Sequence, residues 1–146
     1  MGIGRWTGKA GRFWDLSLAD KWLFLRAVAW LAVARIWLAR VPFSDLAGRL
    51  SAIEGADKPD SELFRRVGHA VAAAAGNVPW RSDCFPQAIA ANKLLQRSGY
   101  ASTIHLGVDK EEKDQLIAHA WLTCGNTVIT GGTDLNRYVE IHQFPS

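Results

Sequence analysis

"WRSDCFPQAIAANKLLQRSGY" (residues 80–100) is where the character of the chain changes. Ser82 or Asp83 can cap a helix whose first turn holds Cys84 and Pro86, and proline is tolerated there because first-turn amides have no intrahelical partner. Ile89, Leu94 and Leu95 give that helix a buried face, and Gly99 lies just past its stop. Beyond Tyr100 the apolar period falls from 3.6 to 2. "STIHLGV" (102–108) sets Ile104, Leu106 and Val108 against His105 and Gly107, "DKEEKD" (109–114) is a charged turn, and "QLIAHAWLT" (115–123) is a second strand. "CGNT" turns the chain into a third strand, "TVITGG" (127–132), and "DLNRYVEIHQF" (134–144) reads as a short helix or a further edge strand.

Upstream the pattern is helical. Asp15, Ser17 and Asp20 are candidate caps for a helix reaching about Leu38, which Pro42 ends. Ser44 or Asp45 can cap a short second helix through Ile53. "EGADKPDS" (54–61) is a polar loop, and from Asp60 or Ser61 the residues Leu63, Phe64, Val67 and Val71 recur at helical spacing until "GNVP". Helices first and an antiparallel sheet second make the class α+β, with an N-terminal helical region (1–58) followed by a core (59–146) in which the Cys84 helix packs on the sheet.

The 146 residues suffice for one hydrophobic core without disulfides or a structural metal. A net charge of +3, with one modest basic cluster in "GRWTGKAGR" (4–12), gives no stripe of Lys and Arg for nucleic acid. Cys84 and Cys124 make no disulfide framework, and no signal-peptide pattern opens the chain, so a reducing cytoplasm is expected. "WLFLRAVAWLAVARIWLAR" (22–40) is interrupted by Arg26, Arg35 and Arg40, too often for a membrane span. Arg26 and Arg40 fall on one side of that helix and Lys21 and Arg35 nearly opposite. The two apolar stripes left between them predict a core helix contacted from two sides, with membrane-surface association as the functional alternative. Trp22, Trp30 and Trp37 are candidate contact surface for a partner, or pack against residues 63–75.

A cysteine attacks a carbonyl as the thiolate, and a free thiol has a pKa of about 8.5, so a nucleophile needs its anion stabilised. A helix N-terminus does this, through unpaired amides that also serve as oxyanion donors. The alternative for Cys84 is a small buried side chain. His119 stands in mid-strand beside Trp121, either as the general base for the thiol or as a structural histidine. His105 alternates onto a solvated face. Cys84, His105, His119 and Cys124 are metal-ligand types but lack metal-site spacing, and neither a metal nor a cofactor is expected.

"CFPQAIAANKLLQRSGYASTIHLGV" (84–108) followed by "AHAWLTCGNTVITGG" (118–132) resembles the transglutaminase-like cysteine peptidases of lasso-peptide biosynthesis. Their pattern is a Cys heading a helix, "LL-x-R-x-G", a strand ending in "GV", then "AHAW" and a turn. "LSLADKWLFLRAVAWLAVARIWLARVPFSDLAGRL" (16–50) is similar to their opening helical region. The resemblance implies a transglutaminase/papain-like core and a metal-independent leader peptidase with Cys84 as nucleophile and His119 as base. It also implies a substrate, the leader-bearing lasso precursor. Because the helical region and core use up the chain, it implies a separate leader-binding recognition protein acting in trans, with the ATP-dependent macrolactam cyclase downstream. Phe85 and Pro86 depart from the family's Leu after the cysteine. The family's orienting acid falls about eleven or twelve positions past the histidine, where this chain has Thr130 and Gly131. A two-residue Gly125-Asn126 loop would place His119 opposite Gly132, so Asp134, the nearest acid, is assigned as the third catalytic member. Thr130 or a backbone carbonyl are its alternatives as orienter, and a helix cap is the alternative role of Asp134. Two further readings keep the fold: a transglutaminase-type acyl transferase, and a non-catalytic scaffold for the recognition protein or cyclase.

Overall fold

The computed structural model describes residues 14–50, 55, 59–109 and 117–145. Helix α1 spans Leu18–Arg40 and starts where the Ser17 hydroxyl accepts the Asp20 amide at 3.1 Å. A short α2, Phe43–Leu50, follows Pro42, and the expected continuation to Ile53 lies outside the described residues. α3 is Ser61–Ala75 and α4 is Cys84–Arg97. Strands β1 (Thr103–Asp109), β2 (Ala118–Cys124), β3 (Thr127–Thr130) and β4 (Tyr138–Pro145) form one antiparallel sheet in the order β3-β2-β1-β4. The C-terminal segment turns out to be both things its sequence suggested, a short 3-10 turn at Leu135–Arg137 and then an edge strand on β1. Of the loops 54–61 and 109–114, all but Gly55, Pro59–Ser61 and Asp109 lie outside the described residues, as does the basic cluster at 4–12.

The layers follow from the apolar faces. Ile89, Leu94 and Leu95 of α4 and Val67 and Val71 of α3 are fully buried with Ile104 and Leu122 of the sheet. α1 lies over the two helices through Ala27, Leu31 and Ala34, also fully buried. Arg66 of α3 donates to Asp20 of α1 at 2.8 Å, and the Ser17 hydroxyl and then Arg66 hold the Asp20 carboxyl below its ordinary range. Trp30 and Trp37 are half-buried against the hydrophobic core. Arg97 of α4 covers the Trp30 ring, and Arg49 and Lys93 cover that of Trp37. Arginine and lysine stems thereby extend the core at its rim.

At α3 the Asp60 carboxylate accepts the Leu63 amide at 2.9 Å, satisfying one of the four amides a helix start leaves open. Asp60→Ala should lower stability by about 1 kcal/mol. Denaturant unfolding measures it; an unchanged midpoint would mean that α3 is held by its buried face alone.

Candidate active site

β2 pairs with β1 along its length, but β3 is shorter. The hairpin turns through Gly125 and Asn126, with Cys124 opposite Thr127 and Gly125 at φ +57°, the type II′ pattern. A bulge between the pairs Thr123–Val128 and Leu122–Thr130 then shifts the register by one residue. That shift displaces the facing position expected for His119, and β3 ends at Thr130. The N-terminal half of β2 is left without a strand on this side, and two groups occupy the notch.

The first is Cys84. As the opening residue of α4, it follows Asp83, which caps without a side-chain hydrogen bond. The half-buried Cys84 Sγ accepts the Ala120 amide at 3.4 Å. The second is His119, next to Ala120 in the chain. Its Nε2 lies 2.7 Å from the Gly131 carbonyl oxygen. A carbonyl only accepts, so Nε2 carries a proton, and in the neutral ring the lone pair is then on Nδ1. The imidazole lies between two aromatic rings: Tyr138 at 4.7 Å between centroids and Trp121 at 6.1 Å, at interplanar angles of 25° and 20°. Sγ and the imidazole are thus brought to adjacent residues of one strand, although no hydrogen bond joins them in this state.

Gly131 makes the carbonyl contact available. Its φ is +72°, in the left-handed region that glycine tolerates, and a Cβ there would meet the Ala120 oxygen at 2.4 Å. Asp134, by contrast, is exposed in a left-handed conformation before the 3-10 turn and makes no side-chain cap bond. The structure does not join it to His119; a backbone carbonyl stands in the orienting position. Asp134→Asn should therefore change any turnover that depends on Cys84 by less than about twofold, where loss of a true triad acid costs orders of magnitude. Thr130 also does not reach the imidazole: its hydroxyl is buried without a hydrogen-bond partner.

Cys124 sits in a different setting from Cys84. It is buried in β2, its thiol donates to the Ala101 carbonyl at 3.1 Å, and burial pushes its pKa up. Iodoacetamide should label Cys84 and spare Cys124 in the folded protein, which peptide mapping checks directly. Among the described residues no three His, Cys, Asp or Glu side chains are placed to hold a metal ion.

Sequence reasoning missed three parts of this arrangement. Tyr138 stacks on the histidine although it lies nineteen positions away on β4, and only its aromatic character gave a signal. His105, expected on a solvated face, stacks flat on Trp121 at 5.2 Å and 5°. Its Nδ1 faces Glu140 at 2.7 Å and its Nε2 faces Thr123 at 2.8 Å. The backbone amide of Ala120 carries no sequence signal at all.

The family described as the Transglutaminase-like superfamily matches residues 28–143. The chain belongs to the transglutaminase-like superfamily. No curated protein and no solved structure matches it. The transglutaminase-like match begins within α1 and ends in β4, so it takes in α3, α4 and the whole sheet up to Gln143. The transglutaminase-like superfamily includes cysteine proteases, and α4, β2 and the Gly131 segment of this domain bring Cys84, His119 and the Gly131 carbonyl together.

Proposed function

We propose that this transglutaminase-like protein is a cysteine endopeptidase that removes the leader from a ribosomally synthesised lasso-peptide precursor. The observation that carries the peptidase reading is the notch: a thiol at the N-terminus of α4, bonded by the amide next to a histidine whose Nδ1 is open. The motifs "LLQRSG" (94–99) and "AHAW" (118–121) support the lasso assignment.

The steps follow from the groups. His119 Nδ1 takes the Cys84 proton, and the amides of the first turn of α4 and of Ala120 favour the thiolate. Sγ attacks the carbonyl of the last leader residue, and first-turn amides of α4 receive the charge that develops on its oxygen. The imidazolium returns its proton to the core's nitrogen as the C–N bond breaks, so the core leaves with a free amine and the leader remains as a thioester on Cys84. Water, deprotonated by His119, releases the leader acid and restores the thiol. A free core amine is what the cyclase needs for macrolactam formation. A separate leader-binding protein would deliver the precursor.

The test is to mix protein, precursor and leader-binding protein, quench in acid at intervals, and weigh every species. The expected result is leader and core at hydrolytic masses, with a transient adduct on Cys84 equal to the leader minus water. A product joined through an amine with loss of ammonia would instead establish acyl transfer, and an unchanged precursor would leave a scaffold.

A further inference from the structure

The two-sided contact that the charge pattern of α1 suggests is met on one side only. The inner side is closed by Ala27, Leu31 and Ala34, whereas Leu18, Trp22, Leu25 and Ile36 are 78%, 67%, 51% and 52% exposed. With Ala29 these four fall on one line along the helix, roughly 27 Å long at about 1.5 Å per residue. No polar residue interrupts the line between Leu18 and Ile36. Only 22% of the residues in the most apolar stretch of α1 are buried. An apolar exterior of that length is what a helix shows when a second surface is meant to cover it.

Charge indicates which surface. At 3.6 residues per turn, Lys21 and Arg35 lie to one side of the line and Arg26 to the other. The one acidic residue of α1, Asp20, is turned toward Arg66 of α3. The asymmetry extends along the sequence: the first forty residues contain seven Lys and Arg but two acids, a balance of +5, and the remaining residues balance to −2.

We propose that the outer face of α1 docks in the surface of an anionic phospholipid bilayer. Leu18, Trp22, Leu25 and Ile36 would enter the boundary between headgroups and acyl chains, while Arg26 and Arg35 reach up to the phosphates; Lys21 Nζ donates to the Trp14 carbonyl at 3.0 Å. A protein partner presents hydrogen-bonding groups and both signs of charge at its rim, and the stripe offers nothing to meet them. A uniformly negative layer over an apolar one matches what is there. The helix lies in the interface and does not span, because its inner side is committed to α3 and α4 and Asp20 is paired there. Membrane docking is independent of the peptidase reading, since no group of the notch takes part.

The experiment is sedimentation of the full chain with vesicles of phosphatidylglycerol and phosphatidylcholine, against vesicles of phosphatidylcholine alone. Binding to the anionic vesicles is expected, weakened about tenfold or more when salt is raised to about 0.5 M. The double substitution Trp22→Gln with Leu25→Gln, at exposed positions and checked for unchanged circular dichroism, should weaken it by a similar factor. Brominated acyl chains should quench a fluorescence component that Trp22→Phe removes without abolishing binding, and Cys84→Ala should bind as the wild type does. No sedimentation with anionic vesicles, or sedimentation indifferent to the double substitution, overturns the proposal. A dimer or a complex with the leader-binding protein that the same substitutions dissociate, without vesicle binding, would assign the face to protein.

Discussion

Cys84→Ala is expected to reduce precursor cleavage by about 10⁴-fold or more, and His119→Ala to reduce it nearly as far. On the proposed mechanism the two act as one unit, the imidazole making the thiolate and later protonating the departing amine. The double variant should therefore be scarcely slower than either single one. Neither substitution threatens the fold. Cys84 is half-buried in the first turn of α4, where alanine is a good helix former, and His119 is a half-buried side chain of β2. Thermal unfolding should move little while turnover disappears, and that separation is the readout. Undiminished cleavage by Cys84→Ala would dismiss the thiol as nucleophile. A loss confined to His119→Ala would instead point to the imidazole acting on water directly.

Gly131→Ala should damage both the fold and the candidate site. The new Cβ would lie 2.4 Å from the Ala120 oxygen and 3.0 Å from Trp121 Cα, both backbone atoms in the middle of β2, with no flexible side chain to give way. A non-glycine residue at φ +72° adds strain of about 1–2 kcal/mol before any clash is counted. The segment must move, and with it the carbonyl that holds His119 Nε2. A displacement near 1 Å in a positioning group costs about 10² in rate, so kcat/KM should fall by about that factor together with a loss of about 2 kcal/mol or more in stability. Gly132→Ala is the control, because its Cβ would meet only the Val128 side chain, at 3.1 Å. If the two variants behave alike, the Gly131 carbonyl is not what orients the histidine.

The comparison of sequence with structure divides along a physical line. Periodicity gave the helices and strands because burial has a fixed geometry in each: Val67 and Val71 at helical spacing, and Ala118, Ala120 and Leu122 at a spacing of two. Cys84 and His119 were legible as residue types in those elements. What could not be read were relations fixed by the backbone alone. The bulge that follows Thr123–Val128 has no residue signature, so spacing alone sets Gly132 opposite His119, whereas β3 ends at Thr130 and the Gly131 carbonyl lies on the imidazole. His105 was misassigned for a similar reason: alternation tells which face a side chain is on, but not that Trp121 and Glu140 will enclose it there. The outer stripe of α1 was visible as apolar, whereas its exposure depended on how many helices the fold had to set against it.

The rings of Tyr138, His119, Trp121 and His105 follow one another across the sheet, with the indole between two imidazoles. An imidazolium draws an electron from an excited indole where a neutral imidazole does not, so light emitted by Trp121 should dim as either neighbour gains a proton. The difference in emission between the wild type and Trp121→Phe would isolate that signal from the other tryptophans. The protein therefore contains its own optical gauge of the protons on these two imidazoles, the candidate base among them, readable without a label.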